Sequence, residues 1–504
     1  MIVIETSFQT FEKYANRYHT IPVSTTIVAD TKTPIQLFQL FNEEAAFILE
    51  SKDPVSAWSN YSFIGLSPSY FLLEKDGEFR LEDKTGNVMV KKASFQEVWK
   101  DSIDYLNIAP VWPDFPFPGG AVGYFSFESY SIYEKKIKSK STGEPDVYLV
   151  FCETVLAFNH QREELTLIHY QNVDKESIKG SFQDSQTKVS KLLERIQEGM
   201  PPENAHILPV NDPIEEDVFV GVQSNYEKDA FISDVKKLKT YIEAGDIFQG
   251  VLSQRFDLPV KSSGLELYRV LRKVNPSPYL YYLRLGDQEI VGSSPERLVK
   301  VDRTGELEIH PIAGTRRRGK SKEEDEYLAN DLLQDEKERA EHLMLVDLAR
   351  NDLGRVSEFG SVTVHDMMTV TYFSHVMHLI TKVKAKLRKD INPFEALFSS
   401  HPAGTVSGAP KVRAVEILQE LEQDRRGVYA GAIAYCGYNG AVDSCIAIRT
   451  IILKNGVASV QAGAGVVYDS VPELEWEETR NKARALIYAI KVAEQRYHKE
   501  AALK

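Results

Sequence analysis

Apolar residues recur at helical spacing along 229–244 (Phe231, Val235, Leu238, Ile242), and the pattern stops at Gly245, which predicts an amphipathic helix. Residues 188–197, ending at Gly199, and 473–494 read the same way. The run 321–353 is laced with charge and holds neither Gly nor Pro, so it predicts one or two helices. Short β-branched and aromatic runs at 47–49, 61–65, 147–151, 247–256, 279–285, 446–452 and 457–467 predict strands. Residues 110–123 carry four prolines and three glycines and predict a loop. Strands and helices do not alternate strictly, and no internal repeat is found. The expected fold is therefore α+β and antiparallel rather than a doubly wound parallel sheet.

The stretch from Pro201-Pro202-Glu203 to Pro213 and Glu215-Glu216-Asp217 is proline-rich and acidic. It predicts a linker over 201–222, between an N-terminal region 1–200 and a second region 223–495. At 504 residues the chain is long enough for two to four domains. Its 43% apolar and 26% charged residues are ordinary globular usage. The net charge of −13 disfavours a nucleic-acid partner. Cys152, Cys436 and Cys445 form neither a disulfide framework nor a CxxC pair. The apolar start at Met1 is too short for a signal peptide and no segment approaches a membrane span, so the expected location is the cytoplasm.

Several clusters carry possible chemistry. Glu338 and Glu341, and likewise Glu475 and Glu478, stand at i, i+3 on predicted helices, so each pair shares a face. Such oxygen donors suit Mg²⁺, although a solvated helix face has the same pattern. Gly314-Thr315-Arg316-Arg317-Arg318-Gly319 is either an anion-binding loop or an exposed turn. His401 to Lys411 is a glycine-rich loop before an amphipathic helix, a possible anion cradle that lacks Walker A spacing. Gln461 to Gly465 is read as a second flexible loop after a strand. His375 and His378 are placed on one helical face near His365. Zinc there lacks a fourth ligand, and His378 reads better as an acid or base.

Together these stretches resemble the chorismate-utilising enzymes, specifically the anthranilate synthase component I family. The resemblance is dense over 225–490. Its motifs are Ile247-Phe248-Gln249, Asn275-Pro276-Ser277-Pro278-Tyr279, Gly292 to Glu296, Pro311 to Arg316, Glu341 to Asp352, His401 to Lys411, Gln461 to Gly465 and Glu475 to Glu478. It is thinner over 1–200, where Ile48-Leu49-Glu50-Ser51 and Pro118 to Tyr124 carry it. Departures from the family's commoner residues are Ile48, Leu280, Arg317 and Gly250.

The resemblance implies two mainly antiparallel sheets packed face to face with helices outside. The implied reaction adds ammonia at C2 of chorismate with loss of the 4-hydroxyl, then eliminates pyruvate to give anthranilate. By resemblance Glu296 is the general acid, His378 serves the elimination, and Thr405 lines the pocket with Gly314 and Thr315. Tyr429, Arg449 and the backbone of Gly463, Ala464 and Gly465 take the enolpyruvyl carboxylate. Mg²⁺ lies between Glu341 and Glu478, with Glu338 and Glu475 behind. Glu50, Ser51, Asn275, Pro278, Tyr279 and Leu280 match segments that bind inhibitory L-tryptophan. No cysteine lies in a Gly-x-Cys-x-Gly elbow, so a separate glutamine amidotransferase subunit is expected to supply ammonia, in a heterodimer or heterotetramer. Gln249 stands where isochorismate and salicylate synthases carry a lysine, and Ala313 where many aminodeoxychorismate synthases do. Aminodeoxychorismate synthase is the nearest alternative. A metal-dependent phosphotransferase lacks a phosphate loop, and a non-catalytic amino-acid-binding subunit would not need Glu296, His378 and both glutamate pairs.

Overall fold

Two strands, Tyr61–Lys75 and Val147–Asn159, are more than twice the usual strand length. They pair antiparallel from Tyr61 opposite Asn159 to Leu73 opposite Tyr148, with an irregularity at Pro68–Tyr70. Ser67 just before it has a φ of 55°, and such a bulge bends its strand. On one side of the bend these strands pair with Ala45–Glu50 and Glu164–Asn172, and on the other with Glu78–Asp83 and Gly120–Phe125. Each long strand thus leaves one sheet and enters another. The structure is a computed structural model and describes residues 5–52, 60–75, 77–110, 115–138, 143–199, 217–373 and 376–502, without the side chains of 497–502.

The first sheet continues from Ala45–Glu50 through Tyr279–Leu285, Gln288–Ser294, Thr450–Lys454 and Val457–Val466 to Gln249–Pro259. The second runs from Gly120–Phe125 through Ala432–Gly437, Val442–Ile446, Arg297–Val301 and Glu306–Ile309 to Val376–Lys386. Ile312–Arg317 and Thr363–Tyr372 flank that last strand. All these ladders are antiparallel, as the α+β expectation requires. Phe47, Phe63, Tyr281, Tyr435 and Cys445, from both sheets, share one buried apolar layer between them. Helices Phe8–Ala15, Ile178–Glu198 and Pro472–Ala502 cover the outer face of the first sheet. Phe95–Leu106, Glu336–Gly354 and Pro393–Ser400 cover the second.

The expected helices form. The run 321–353 divides in two, Lys322–Gln334 and Glu336–Gly354, because Asp335 caps the second, its carboxylate accepting from the Glu338 N–H. The loop expectation fails at 120–123, the end of 110–123, and at Gln461–Gly465, where the strand expected over 457–467 holds instead. Gly120–Phe125 is a fully buried strand, and Gln461–Gly465 lies inside the strand Val457–Val466. The cause is steric: a Cβ on Gly120 would lie 2.0 Å from the Cys436 carbonyl oxygen, and one on Gly123 1.9 Å from that of Tyr148. These glycines admit neighbouring backbones, a role indistinguishable from turn chemistry along the sequence.

The regions 1–200 and 223–495 share both sheets, since Ala45–Glu50 pairs with Tyr279–Leu285 and Gly120–Phe125 with Ala432–Gly437. Of the expected linker, 201–216 lies outside the described residues. Beyond it, Phe219 is buried beneath the Arg480 guanidinium, 3.8 Å from its ring centroid.

Gly123→Ala is expected to destabilise the protein by about 1–3 kcal/mol, the usual penalty for overpacking a core. A lowered thermal midpoint with native far-UV dichroism below it is the expected result; an unchanged midpoint contradicts the packing described.

Candidate active site

Glu296 occupies the link between Gln288–Ser294 and Arg297–Val301. Its Oε1 accepts a 3.0 Å hydrogen bond from the Thr405 hydroxyl, which a 3₁₀ turn, Gly404–Val406, presents. Burial pushes the Glu296 carboxyl up to about 7, although the Thr405 bond and the charges of Lys482 and Arg449 all favour the anion. A carboxyl so placed still carries its proton near neutrality.

His378 lies on Val376–Lys386, opposite Thr315 on one side and Thr371 on the other. It is on a strand and not on the expected helical face, and His375 lies outside the described residues. The ladder with Ile312–Arg317 slips between Ala313 and Thr315, leaving Gly314 as the extra residue with φ 67°, the conformation a glycine bulge needs. The bulge aims the Gly314 carbonyl at His378 Nδ1, 2.9 Å away, with Thr315 Oγ1 at 3.1 Å. A carbonyl only accepts, so Nδ1 carries the proton and Nε2 keeps its lone pair. Burial lowers the pKa of this imidazole, against the Gly314 bond.

Gly463 and Gly465 face the same side of their strand. A Cβ on Gly463 would lie 2.9 Å from both Tyr429 Oη and Val251 Cγ1, and one on Gly465 2.7 Å from Gln249 Nε2. Ala464 is fully buried, so only its backbone faces this side. Arg449 stands between Val442–Ile446 and Thr450–Lys454 with φ 50°. Its carbonyl accepts from the Ser293 N–H at 3.1 Å, and its guanidinium donates to Asn275 Oδ1 at 3.3 Å. Glu296, Thr405, His378, Gly314, Thr315, Tyr429, Arg449 and Gly463–Gly465 are all placed on strands or links of the two sheets.

The four glutamates stand on the first two turns of Glu336–Gly354 and Pro472–Ala502, Glu338 and Glu475 on the first and Glu341 and Glu478 on the second. Glu341 is pushed up by burial and then by Glu338, with Glu478 also raising it. Glu475 is pushed up by burial and by Glu478, and its Oε2 is buried without a partner among the described residues. Crowded carboxylates and an orphaned oxygen are what an oxygen-seeking divalent cation relieves, so the donor set fits Mg²⁺. Among the described residues no three such side chains are already gathered around one point. Cations hold two of them: Arg316 lies 3.4 Å from Glu338, and Lys482 2.7 Å from Glu478.

Lys482 is the residue that motif reading missed, though its i+4 spacing from Glu478 signals it. Its ammonium also donates to the Gly463 carbonyl at 3.0 Å and so joins the glutamates to the glycine strand. The arginine loop, by contrast, is satisfied locally. Arg316 pairs with Asp331 and Asp335, Arg317 with Glu324, and Arg318 with Asp325. In the His401–Lys411 segment, Lys411 is buried against Asp352 at 3.0 Å and holds the Ser399 and Ser400 carbonyls.

A separate, partly open cleft is lined by Glu50, Ser51, Pro278, Tyr279 and Leu280. Both Glu50 oxygens are engaged, by Tyr268 at 2.7 Å and Arg272 at 2.8 Å. Tyr279 donates to Asp443 at 3.0 Å and accepts from Arg297 at 2.7 Å. Asn275, grouped with these residues from sequence, lies outside the lining and contacts Arg449 instead.

The chain resembles known proteins over nearly its whole length. The chorismate binding enzyme family matches residues 44–488. Anthranilate synthase component 1 of Geobacillus stearothermophilus is 50% identical over 497 residues, 96% of each chain. That of Bacillus subtilis is 48% identical over 490 residues, covering 95% of this chain and 94% of its own. The crystal structure of anthranilate synthase component I from Streptococcus pneumoniae superposes with a TM-score of 0.74 at 35% identity, covering 92% of this chain and 98% of that one.

The raised pKa of Glu296 makes a stability prediction. Below the ordinary carboxyl range both folded and unfolded states hold the proton. Between about 4.3 and 7 the folded state holds more, so the Glu296 contribution to stability falls as pH rises through that window. Glu296→Gln removes the penalty while keeping an acceptor for Thr405. It is expected to raise the thermal midpoint at about pH 8 and to change it little at about pH 5; an equal change at both values contradicts the buried acid.

Proposed function

The chain belongs to the chorismate binding enzyme family, and from that premise we propose that it is an anthranilate synthase large component, converting chorismate and ammonia to anthranilate, pyruvate and water. The observation that carries this reading is the Thr405-bonded Glu296, an acid protonated near neutrality, in a chain whose half-identical relatives bear that name. The hydroxyl at C4 is a poor leaving group unless protonated. Glu296 gives it a proton as ammonia attacks C2: the new C–N bond forms, the C–O bond breaks, and water leaves. Aromatisation then removes the C2 proton. His378 is neutral, with Nδ1–H fixed by Gly314, so Nε2 is the base for that proton as the ring-to-enolpyruvyl C–O bond breaks. The proton so taken is available to the departing enolpyruvate. Arg449 supplies a guanidinium fork for the enolpyruvyl carboxylate, beside the Gly463–Gly465 backbone and the Tyr429 hydroxyl.

Glu338, Glu341, Glu475 and Glu478 would hold Mg²⁺, whose charge, when bound, neutralises the ring carboxylate. Ala313 bears only a buried methyl where a lysine nucleophile would direct amination to C4, which favours anthranilate over aminodeoxychorismate. Cys152, Cys436 and Cys445 are all buried, and burial pushes their thiols up. None suits glutamine hydrolysis, so an amidotransferase partner, the second component that "component 1" implies, would deliver ammonia. The chemistry of the second cleft, apolar with Asp443 and Arg297 on its wall, suits an aromatic amino acid, and we assign it to L-tryptophan as feedback inhibitor.

Purified chain given chorismate, Mg²⁺ and ammonium is expected to develop anthranilate fluorescence, abolished by EDTA and lowered at least about tenfold by Glu478→Gln. Chorismate loss without fluorescence, giving p-aminobenzoate only after a lyase is added, indicates aminodeoxychorismate instead. At fixed free ammonia, kcat/KM should fall above about pH 7 as free Glu296 ionises. The limb of kcat should lie higher, because bound dianionic substrate opposes that ionisation. Ala434→Leu, narrowing the cleft, is expected to weaken inhibition by tryptophan about tenfold or more without changing KM for chorismate. Unchanged inhibition places the inhibitor elsewhere.

A further inference from the structure

The loop after helix Lys411–Leu421 buries an ion pair that the reaction does not use. Arg426 Nε and Nη2 bond the two oxygens of Glu422, each at 2.7 Å. The remaining donors go to backbone carbonyls: Nη1 to Val406 at 2.7 Å and Nη2 to Val251 at 2.6 Å. The Arg426 side chain is 1% exposed, and its guanidinium lies 4.4 Å above the Phe127 ring. Glu422 Oε1 also takes the Ser253 N–H and hydroxyl, at 2.8 and 2.9 Å. From the N-terminal region, Glu128 accepts the Arg426 and Gly427 N–H groups at 2.7 and 3.0 Å.

Each carbonyl belongs to a piece of the active site. Val406 follows Thr405 in its 3₁₀ turn, and Val251 and Ser253 lie opposite Gly465 and Gly463 in the ladder. We propose that Arg426, backed by Glu422, is a positioning residue for the general acid: it fixes the Gly404–Val406 turn against the glycine strand and so holds the Thr405 hydroxyl on Glu296. This rests on Glu296 being the acid. The guanidinium is suited to the task because its planar fork serves one carboxylate and two divergent carbonyls at once, which a lysine ammonium on a flexible stem does not. The charged groups facing Glu296 are Lys482, on the terminal helix, and Arg449. The hydrogen bonds of Arg426 go to neither, so its loss reaches the acid through Thr405.

The test is a double-mutant cycle in the full chain, reading the alkaline limb of kcat with saturating chorismate and Mg²⁺ at fixed free ammonia. Thr405→Val removes a bond that favours ionised Glu296, so the limb moves to higher pH and kcat falls about tenfold or more. Arg426→Lys is expected to move the limb in the same direction, and the double variant no further than Thr405→Val alone. Glu422→Gln, which keeps shape and one acceptor, is expected to do the same to a lesser extent and serves if Arg426→Lys does not fold. A lower kcat and thermal midpoint with the limb in place, or limb shifts that add in the double variant, overturn the positioning role alone. A wild-type chain that makes no anthranilate, or a Thr405→Val limb that does not move, overturns the acid assignment and the proposal with it.

Discussion

The antiparallel pairing of Tyr61–Lys75 with Val147–Asn159 is the contact on which both sheets depend. Neither long strand stays in one sheet, so their bend fixes how the two layers face each other and what is trapped between. The cleft lined by Glu50 and Tyr279 opens within the layer that carries Phe63 and Tyr281, with Arg297 on its wall. The candidate active-site residues are joined by two cations: the Arg449 charge acts on both Glu296 and His378, and Lys482 acts on Glu296 while bonding the Gly463 carbonyl. Arg297 follows Glu296 directly, and its guanidinium reaches the cleft through Tyr279. One peptide unit therefore separates a residue of each site.

Low dielectric does two opposite things in the candidate active site. It pushes Glu296 up, favouring the protonated carboxyl, and His378 down, favouring the neutral imidazole. Burial is the largest cause of both shifts; Lys482 and Arg449 work against the first, and Arg449 adds to the second. Burial thus favours the uncharged form of both groups, which leaves one holding its proton and the other without one; that pair of states is what the proposed reaction needs.

What the sequence disclosed follows from how local each cause is. Helical periodicity, the Gly245 and Gly199 stops and the β-branched and aromatic runs are local patterns, and those elements stand close to where they are expected, except that 446–452 straddles the link 447–449 between Val442–Ile446 and Thr450–Lys454. Gly120 and Gly123 were misread because their cause is the backbone of residues 148 and 436. His378 was misread as helical because its neighbours resemble a helix face, while its partners are Gly314 and Thr315 on another strand. The two glutamate pairs were visible at i, i+3, but nothing in their spacing says that the helices converge or that Lys482 bridges to Gly463. Family resemblance supplied the site's membership, and the sheets supply its geometry. Arg426 and Glu422 carry no motif of their own, since their work is on carbonyls that any residue would offer.

The shared sheets also bear on the order in which the chain is made. Leu49 pairs with Tyr281, and Val122 with Tyr435. At about 5–20 residues per second of synthesis, the strand Ala45–Glu50 waits some tens of seconds for its partner to leave the ribosome, and Gly120–Phe125 longer. During that interval apolar strand edges stand open on a nascent chain that has no second half to close them. A molecule whose N-terminal and C-terminal segments are interleaved in this way has, while it is being made, the open apolar edges that holding chaperones cover.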